Sequence, residues 1–162
     1  MPVLTLDIQR ATSVPGIPGD ELLQQWASQA LLGHEDNEVT LRIVTPEESA
    51  DLNLCYRQKP SATNVLSFPF EVPAGLPVSL LGDLVICADV VADEAREQGK
   101  SLKAHWAHMV IHGMLHLQGH DHIEPDDADI METLEIRLLA ALGFPDPYQT
   151  DPDYTEDREP HS

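Results

Sequence analysis

The sequence predicts an α+β fold: a small mixed sheet of about four strands covered mainly by about five helices, with a candidate metal site on the central helix. Two observations lead there. Segments with strand character alternate with helical ones as far as about residue 90, and beyond that point only helical patterns follow. The 162 residues, 42% of them hydrophobic, are enough for one sizeable core and show no internal repeat.

The elements follow in order. Val3 to Ile8 alternates Leu4, Leu6 and Ile8 with Thr5 and Asp7, the period of a half-buried strand. A loop of Pro15, Gly16, Pro18 and Gly19 precedes a helix from Asp20, whose apolar positions Leu22, Leu23, Trp26, Ala27, Ala30 and Leu31 keep helical spacing up to a stop at Gly33. Val39, Leu41 and Ile43 mark a second strand. Thr45-Pro46-Glu47-Glu48 joins an N-cap, a proline at the first helical position and a glutamate three residues on, a capping box opening a helix to about Tyr56. Asn64 to Phe70 reads as a strand, with Pro69 placing it at an edge or ending it. After a loop from Pro73 to Pro77, Leu81 to Cys87 forms another strand. Asp89 to Gln98 makes a short helix closed by Gly99, and Ser101 caps a helix from Leu102 to about Gln118. A last helix runs from Pro125 to Leu142, with a broad apolar face and a stop at Gly143. Residues 1–148 are expected to form a single domain. Residues 149–162, acidic and proline-bearing, lack the apolar content to offset ordering entropy and are expected to be a disordered tail.

Composition bounds the function. No apolar run approaches the roughly 20 residues that span a bilayer, and the N-terminus lacks the basic start and apolar stretch of a signal peptide. A cytoplasmic protein without membrane partners is expected. Cys55 and Cys87 stand singly in apolar surroundings, which in a reducing compartment suggests two buried thiols rather than a disulfide. The formal net charge of -19 favours solubility and repels bulk polyanions. That charge is uneven, because beyond Glu124 only Arg137 and Arg158 oppose a dense acidic series.

The chemistry concentrates in His112-Gly-Met-Leu-His116-Leu-Gln-Gly119-His-Asp-His122. The first two histidines are an i, i+4 pair on one helix face. Gly119 can reverse the chain so that His122 returns as a third ligand. Three protein ligands leave a fourth position open, as on a catalytic zinc. His108, His112 and His116 also form a continuous stripe, but eight helical residues rise about 12 Å, so His108 and His116 cannot share an ion. His108 is left to support a ligand or to lie on the surface, and His105 to a structural role. His120 adds a fourth imidazole beside the loop, and the spacing selects His122 over it. Asp121 either orients an imidazole, shuttles a proton or serves only the turn. Metzincin zinc proteases share this histidine spacing but carry a glutamate after the first histidine, where this chain has Gly113. A zinc peptidase is therefore the alternative, one without its general base. In a chain with nine basic residues, Arg57 and Lys59 form a local positive spot, and an arginine fork can grip phosphate oxygens.

The histidine segment together with Tyr-Arg57-Gln-Lys59, Thr63-Asn-Val-Leu-Ser-Phe-Pro-Phe70, Leu80-Leu-Gly-Asp-Leu-Val-Ile-Cys87 and Ala104-His-Trp-Ala-His108 resembles the YbeY family of bacterial rRNA-maturation endoribonucleases. The likeness runs from Asn53 to Tyr148. It implies a single α+β domain, one zinc ion on His112, His116 and His122, and participation of Arg57 in activity. It also implies a single-strand-specific endoribonuclease acting on rRNA in 16S maturation and ribosome quality control. Small-subunit ribosomal proteins, drawn to the acidic C-terminal half, are the expected partners that deliver RNA to so acidic a chain. A ribosome-assembly factor with a structural zinc is a further alternative. Two positions depart from the commonest family form: His120 replaces tyrosine, and Asn64 stands where many members have aspartate.

Overall fold

The computed structural model describes residues 4–31, 37–58, 61–69, 79–118 and 125–147. In chain order these form β1 (Leu4–Arg10), α1 (Asp20–Gln29), β2 (Asn37–Val44), α2 (Pro46–Arg57), β3 (Val65–Pro69), β4 (Ser79–Cys87), α3 (Ala88–Gln98), α4 (Leu102–Leu117) and α5 (Pro125–Ala141). Among the described residues the expected α+β architecture is present, with four strands and five helices. The strands lie in the order β1-β2-β4-β3, with β1, β2 and β4 parallel and β3 antiparallel to β4. Pro69 closes β3 on the edge of the sheet, where its missing N–H costs no ladder bond. A register shift between Glu38 and Val39 leaves Leu81 as the extra residue of β4, and Gly82 (φ 146°) supplies the backbone this bulge requires.

Period-2 alternation sorts the strand residues onto two faces. Val39, Leu41, Ile43, Val65, Leu84 and Ile86 enter the main core beneath α1, α4 and α5, while Val44, Leu66, Val85 and Cys87 form a smaller cluster with Leu52 of α2 and Val90 of α3. α4 is the central helix. It is apolar nearly all round, burying Trp106, Val110, Ile111, Met114 and Leu115 against β3, β4, α1, α3 and α5. Each large side chain buried there stabilises the fold by about 1.5–3 kcal/mol.

The caps at Ser101, Gly99 and Gly143 match their expectations, and two others differ. Ser101 Oγ accepts from Ala104 N at 3.1 Å, and Gly99 (φ 66°) closes α3. Thr45 Oγ1 accepts from Glu48 N at 3.2 Å, but the Glu48 carboxylate binds Arg42 at 2.5 and 3.1 Å, so the reciprocal half of the capping box is replaced by an ion pair with β2. α1 stops at Gln29, before the expected Gly33, which lies outside the described residues. The carbonyl of its C-cap residue Ala30 is satisfied from the end of α4, where Gln118 Nε2 donates to Ala30 O at 2.7 Å. Both cysteines are free thiols, but Cys55 is exposed rather than buried, because it falls on the outer side of α2. The loop from Pro73 to Pro77 and the segment 149–162 lie outside the described residues. No helix among the described residues is long and apolar enough to cross a membrane.

A polar network ties β3 to the helices. Asn64 Nδ2 donates to both oxygens of Glu94 at 3.0 and 3.2 Å, and buried His105 Nε2 lies 2.9 Å from Glu94 Oε1. Burial opposes ionisation of Glu94, yet the bonds from His105 and Asn64 outweigh it and hold the carboxyl below its ordinary value. The sign of the pH effect follows. A depressed carboxyl contributes stability that is complete above its unfolded value of about 4.3 and lost as pH falls through the folded one. Glu94→Gln is therefore expected to flatten the acid limb of stability below about pH 5, measured as urea midpoint against pH.

Candidate active site

α4 carries four histidines along one side. Ring centroids are 6.1 Å apart for His105 and His108, 6.2 Å for His108 and His112, and 5.0 Å for His112 and His116. Exposure rises toward the C-terminal end of the helix: the side chain of His108 is 9% exposed and that of His112 19%. The stripe thus begins in the core and reaches solvent at its last two members.

Glu135 of α5 braces the stripe. Fully buried, it lies between Met131 and Leu139 on the inner face of α5, with Oε1 2.6 Å from His108 Nε2 and Oε2 3.0 Å from His112 Nδ1. Burial alone would favour the neutral acid, but the bonds to the two imidazoles prevail and hold the carboxyl far below its usual range. His108 is held below its ordinary value as well, because burial disfavours its cation more than Glu135 favours it. Glu135 and His108 are therefore an ionised carboxylate beside a neutral imidazole. An ionised carboxylate only accepts, so His108 donates from Nε2 and His112 from Nδ1. A neutral His112 donating from Nδ1 carries its lone pair on Nε2. A carboxylate orienting one nitrogen of a ligating histidine is the recurrent support of metal sites.

Metal-binding capacity follows from the donor set. His108, His112 and Glu135 form a group that can hold an ion, their ligand atoms lying within 4.8 Å of one another. In the described geometry, however, they are engaged in direct hydrogen bonds of 2.6 and 3.0 Å, shorter than the roughly 3.3 Å between ligand atoms on a tetrahedral zinc. The neighbouring pair, His112 and His116, has a matching ring spacing. Two imidazoles on one tetrahedral zinc place their centroids about 5 Å apart, and His112 and His116 are separated by 5.0 Å. His122 and Asp121, with Gly119 and His120, lie outside the described residues. So does Lys59, while Arg57 is placed as the last residue of α2.

Gly113 explains what the site lacks. A Cβ built there would stand 2.6 Å from Leu84 Cδ2 and 3.3 Å from Val65 Cγ2. Position 113 is the point where α4 presses on β3 and β4, on the sheet side of the helix. A glutamate could not occupy it as a general base without being driven into the core. The peptidase alternative loses its base for a packing reason.

Sequence reasoning did not single out Glu135. One signal was present: with Met131 and Leu139 it forms an i, i+4, i+8 row on the apolar side of an amphipathic helix, and a carboxylate in such a row needs a buried partner. Its partners on α4 were not readable from that row.

Fold and site define a class of protein, an α+β enzyme whose central helix presents a histidine stripe braced by a buried carboxylate. Known proteins give the class its family. The model of the family described as Endoribonuclease YbeY matches residues 16–143. Endoribonuclease YbeY of Alcanivorax borkumensis is 53% identical over 96% of this chain and 97% of its own length. The solution structure of TM1509 from Thermotoga maritima, at 22% identity, shares the fold with a TM-score of 0.53 over 93% of this chain and all of that one. The chain belongs to the Endoribonuclease YbeY family, and its activity is internal cleavage of RNA.

Proposed function

We propose that the protein is a zinc-dependent, single-strand-specific endoribonuclease acting in 16S rRNA maturation and ribosome quality control in the cytoplasm. One contact supports this above the rest: the 3.0 Å bond from His112 Nδ1 to Glu135, which leaves Nε2 as the coordinating nitrogen beside His116. His112 and His116 would hold the ion with His122, within a single domain spanning residues 1–148. Zinc, when bound, supplies Lewis acidity toward a phosphate or water oxygen. The rising exposure along the stripe favours an open coordination position over a closed structural site.

The chain's own groups do the remainder. Arg57 grips non-bridging phosphate oxygens through its guanidinium fork and offsets the negative charge that grows as the phosphodiester is attacked. Asp121 orients an imidazole or carries the proton. Glu135 keeps His112 in the coordinating tautomer. Basic proteins of the small ribosomal subunit bring rRNA to the site, drawn to the acidic C-terminal half and its 149–162 tail, because a chain of net charge -19 attracts free RNA poorly.

Metal analysis paired with cleavage of single-stranded and precursor rRNA tests the proposal. About one zinc per chain is expected, with cleavage lost on chelation and restored by zinc. Full cleavage by metal-free protein would refute zinc dependence. The cut ends separate two routes: a 2′,3′-cyclic phosphate records attack by the ribose 2′-hydroxyl, and its absence attack by water.

A further inference from the structure

β3 is an edge of the sheet, and one bond fixes which of its main-chain groups face outward. Cys87 N donates to Asn64 O at 3.0 Å, so these two residues are a hydrogen-bonded pair, and ladder alternation gives the same role to Leu66 with Val85 and Phe68 with Asp83. Val65, Ser67 and Pro69 therefore turn their main-chain groups away from β4. Two of these three offer no free donor: Val65 N already donates to Asn64 Oδ1 at 2.6 Å, and proline has no N–H. Ser67, partly exposed, is the residue of β3 that keeps both an N–H and a carbonyl turned outward, and among the described residues neither has a partner.

This edge lies along the histidines. A Cβ at Gly113 would meet Val65 Cγ2 at 3.3 Å and Leu84 Cδ2 at 2.6 Å, and Leu84 is the residue directly opposite Ser67. Gly113 thus marks the side of α4 that rests on β3 and β4. At about 100° per residue, His112 and His116 lie about 100° and 60° to one side of Gly113, and Gln118 about 140° to the other. Gln118 reaches the end of α1, which packs on β1 at the far side of the sheet. The histidine side of α4 therefore faces the free edge of β3.

Such an edge suits a protein strand poorly, because strand pairing needs an outward N–H and carbonyl at every second residue. It does suit one planar group that needs a single donor and a single acceptor. Every RNA base carries an adjacent donor and acceptor on its Watson–Crick edge, and base pairing hides both. We infer that the main-chain N–H and carbonyl of Ser67 hold the Watson–Crick edge of one unpaired base next to the cleavage site. The inference rests on the single-strand specificity proposed above and gives it a physical cause: a paired base has no edge left to offer. It also makes the selection indifferent to base identity, and it adds an uncharged hold on RNA in a chain of net charge -19.

Single-stranded oligonucleotides carrying one N1-methyladenine or N3-methyluracil, stepped through the positions that flank the cut, test it on the unaltered protein. The methyl group blocks the Watson–Crick edge without forming a duplex. At one position it is expected to raise KM about tenfold while kcat stays near that of plain RNA. Ser67→Pro removes the outward N–H without costing a ladder bond, and an ester in place of the Ser67 amide removes the same hydrogen should the proline variant not fold. Either change is expected to raise KM severalfold on plain RNA and to lose most of the methyl penalty. Equal KM for methylated and plain RNA at every position would overturn the inference, as would a full methyl penalty that persists without the Ser67 N–H. Cleavage of duplex RNA as fast as single strands by the unaltered protein would instead overturn the single-strand specificity, and this inference with it.

Discussion

His112→Ala is expected to be purified without zinc and to cleave RNA at least about a thousandfold more slowly, since Lewis-acid stabilisation is worth several kcal/mol and each 1.36 kcal/mol is tenfold. His116→Ala should behave alike. His108→Ala separates the two arrangements that the donor set permits. If the ion sits between His112 and His116, His108→Ala keeps its zinc and loses about 1–3 kcal/mol of stability, because buried Glu135 forfeits one of its two imidazole partners. If the ion sits instead in the group of His108, His112 and Glu135, His108→Ala is metal-poor and His116→Ala is metal-replete. Zinc content of the three purified variants, read beside their urea midpoints, decides between them. Retention of both zinc and cleavage by His112→Ala would refute either arrangement.

Gly113→Glu is expected to destabilise the fold by more than about 4 kcal/mol, a large part of the 5–15 kcal/mol that holds an ordinary domain together. Two effects act in the same direction. The new Cβ must displace Leu84, which is itself fully buried, and the carboxylate enters the core without a partner. Gly113→Ala isolates the first. Overpacking costs about 1–3 kcal/mol, and alanine returns up to about 1 kcal/mol of helix propensity, so a net loss of about 1–2 kcal/mol is expected. Equilibrium unfolding in urea measures both. Gly113→Glu at wild-type stability would mean that position 113 has room for the glutamate of a peptidase, and the packing account of its absence would fail.

Much of the fold was legible because the signals were local. Alternation in β1 and β2, the proline at the end of β3, Ser101 before α4 and the glycine after α3 each depend on a few consecutive residues, and each element formed close to its expected span. The failures share a cause. α1 ends without its glycine because Gln118, 88 residues away, caps Ala30. The reciprocal half of the capping box is absent because Arg42 of the adjacent strand competes for Glu48. Asn64, noted only as a departure from the family's aspartate, donates to Glu94, where an aspartate would place a second carboxylate.

The site divides along the same line. Sequence by itself determined the histidine stripe, the family and the missing glutamate, because i, i+4 spacing on a helix is fixed by helical geometry and needs no partner. Only the tertiary structure decided what orients the stripe and why residue 113 is glycine. Glu135 stands 23 residues from His112, and Leu84 comes from a strand on the other side of α3. Such contacts exist only once α4 is pressed between the sheet and α5. A hydrogen bond or a steric limit is set by distances of a few ångströms in space, and separation along the chain carries no record of them.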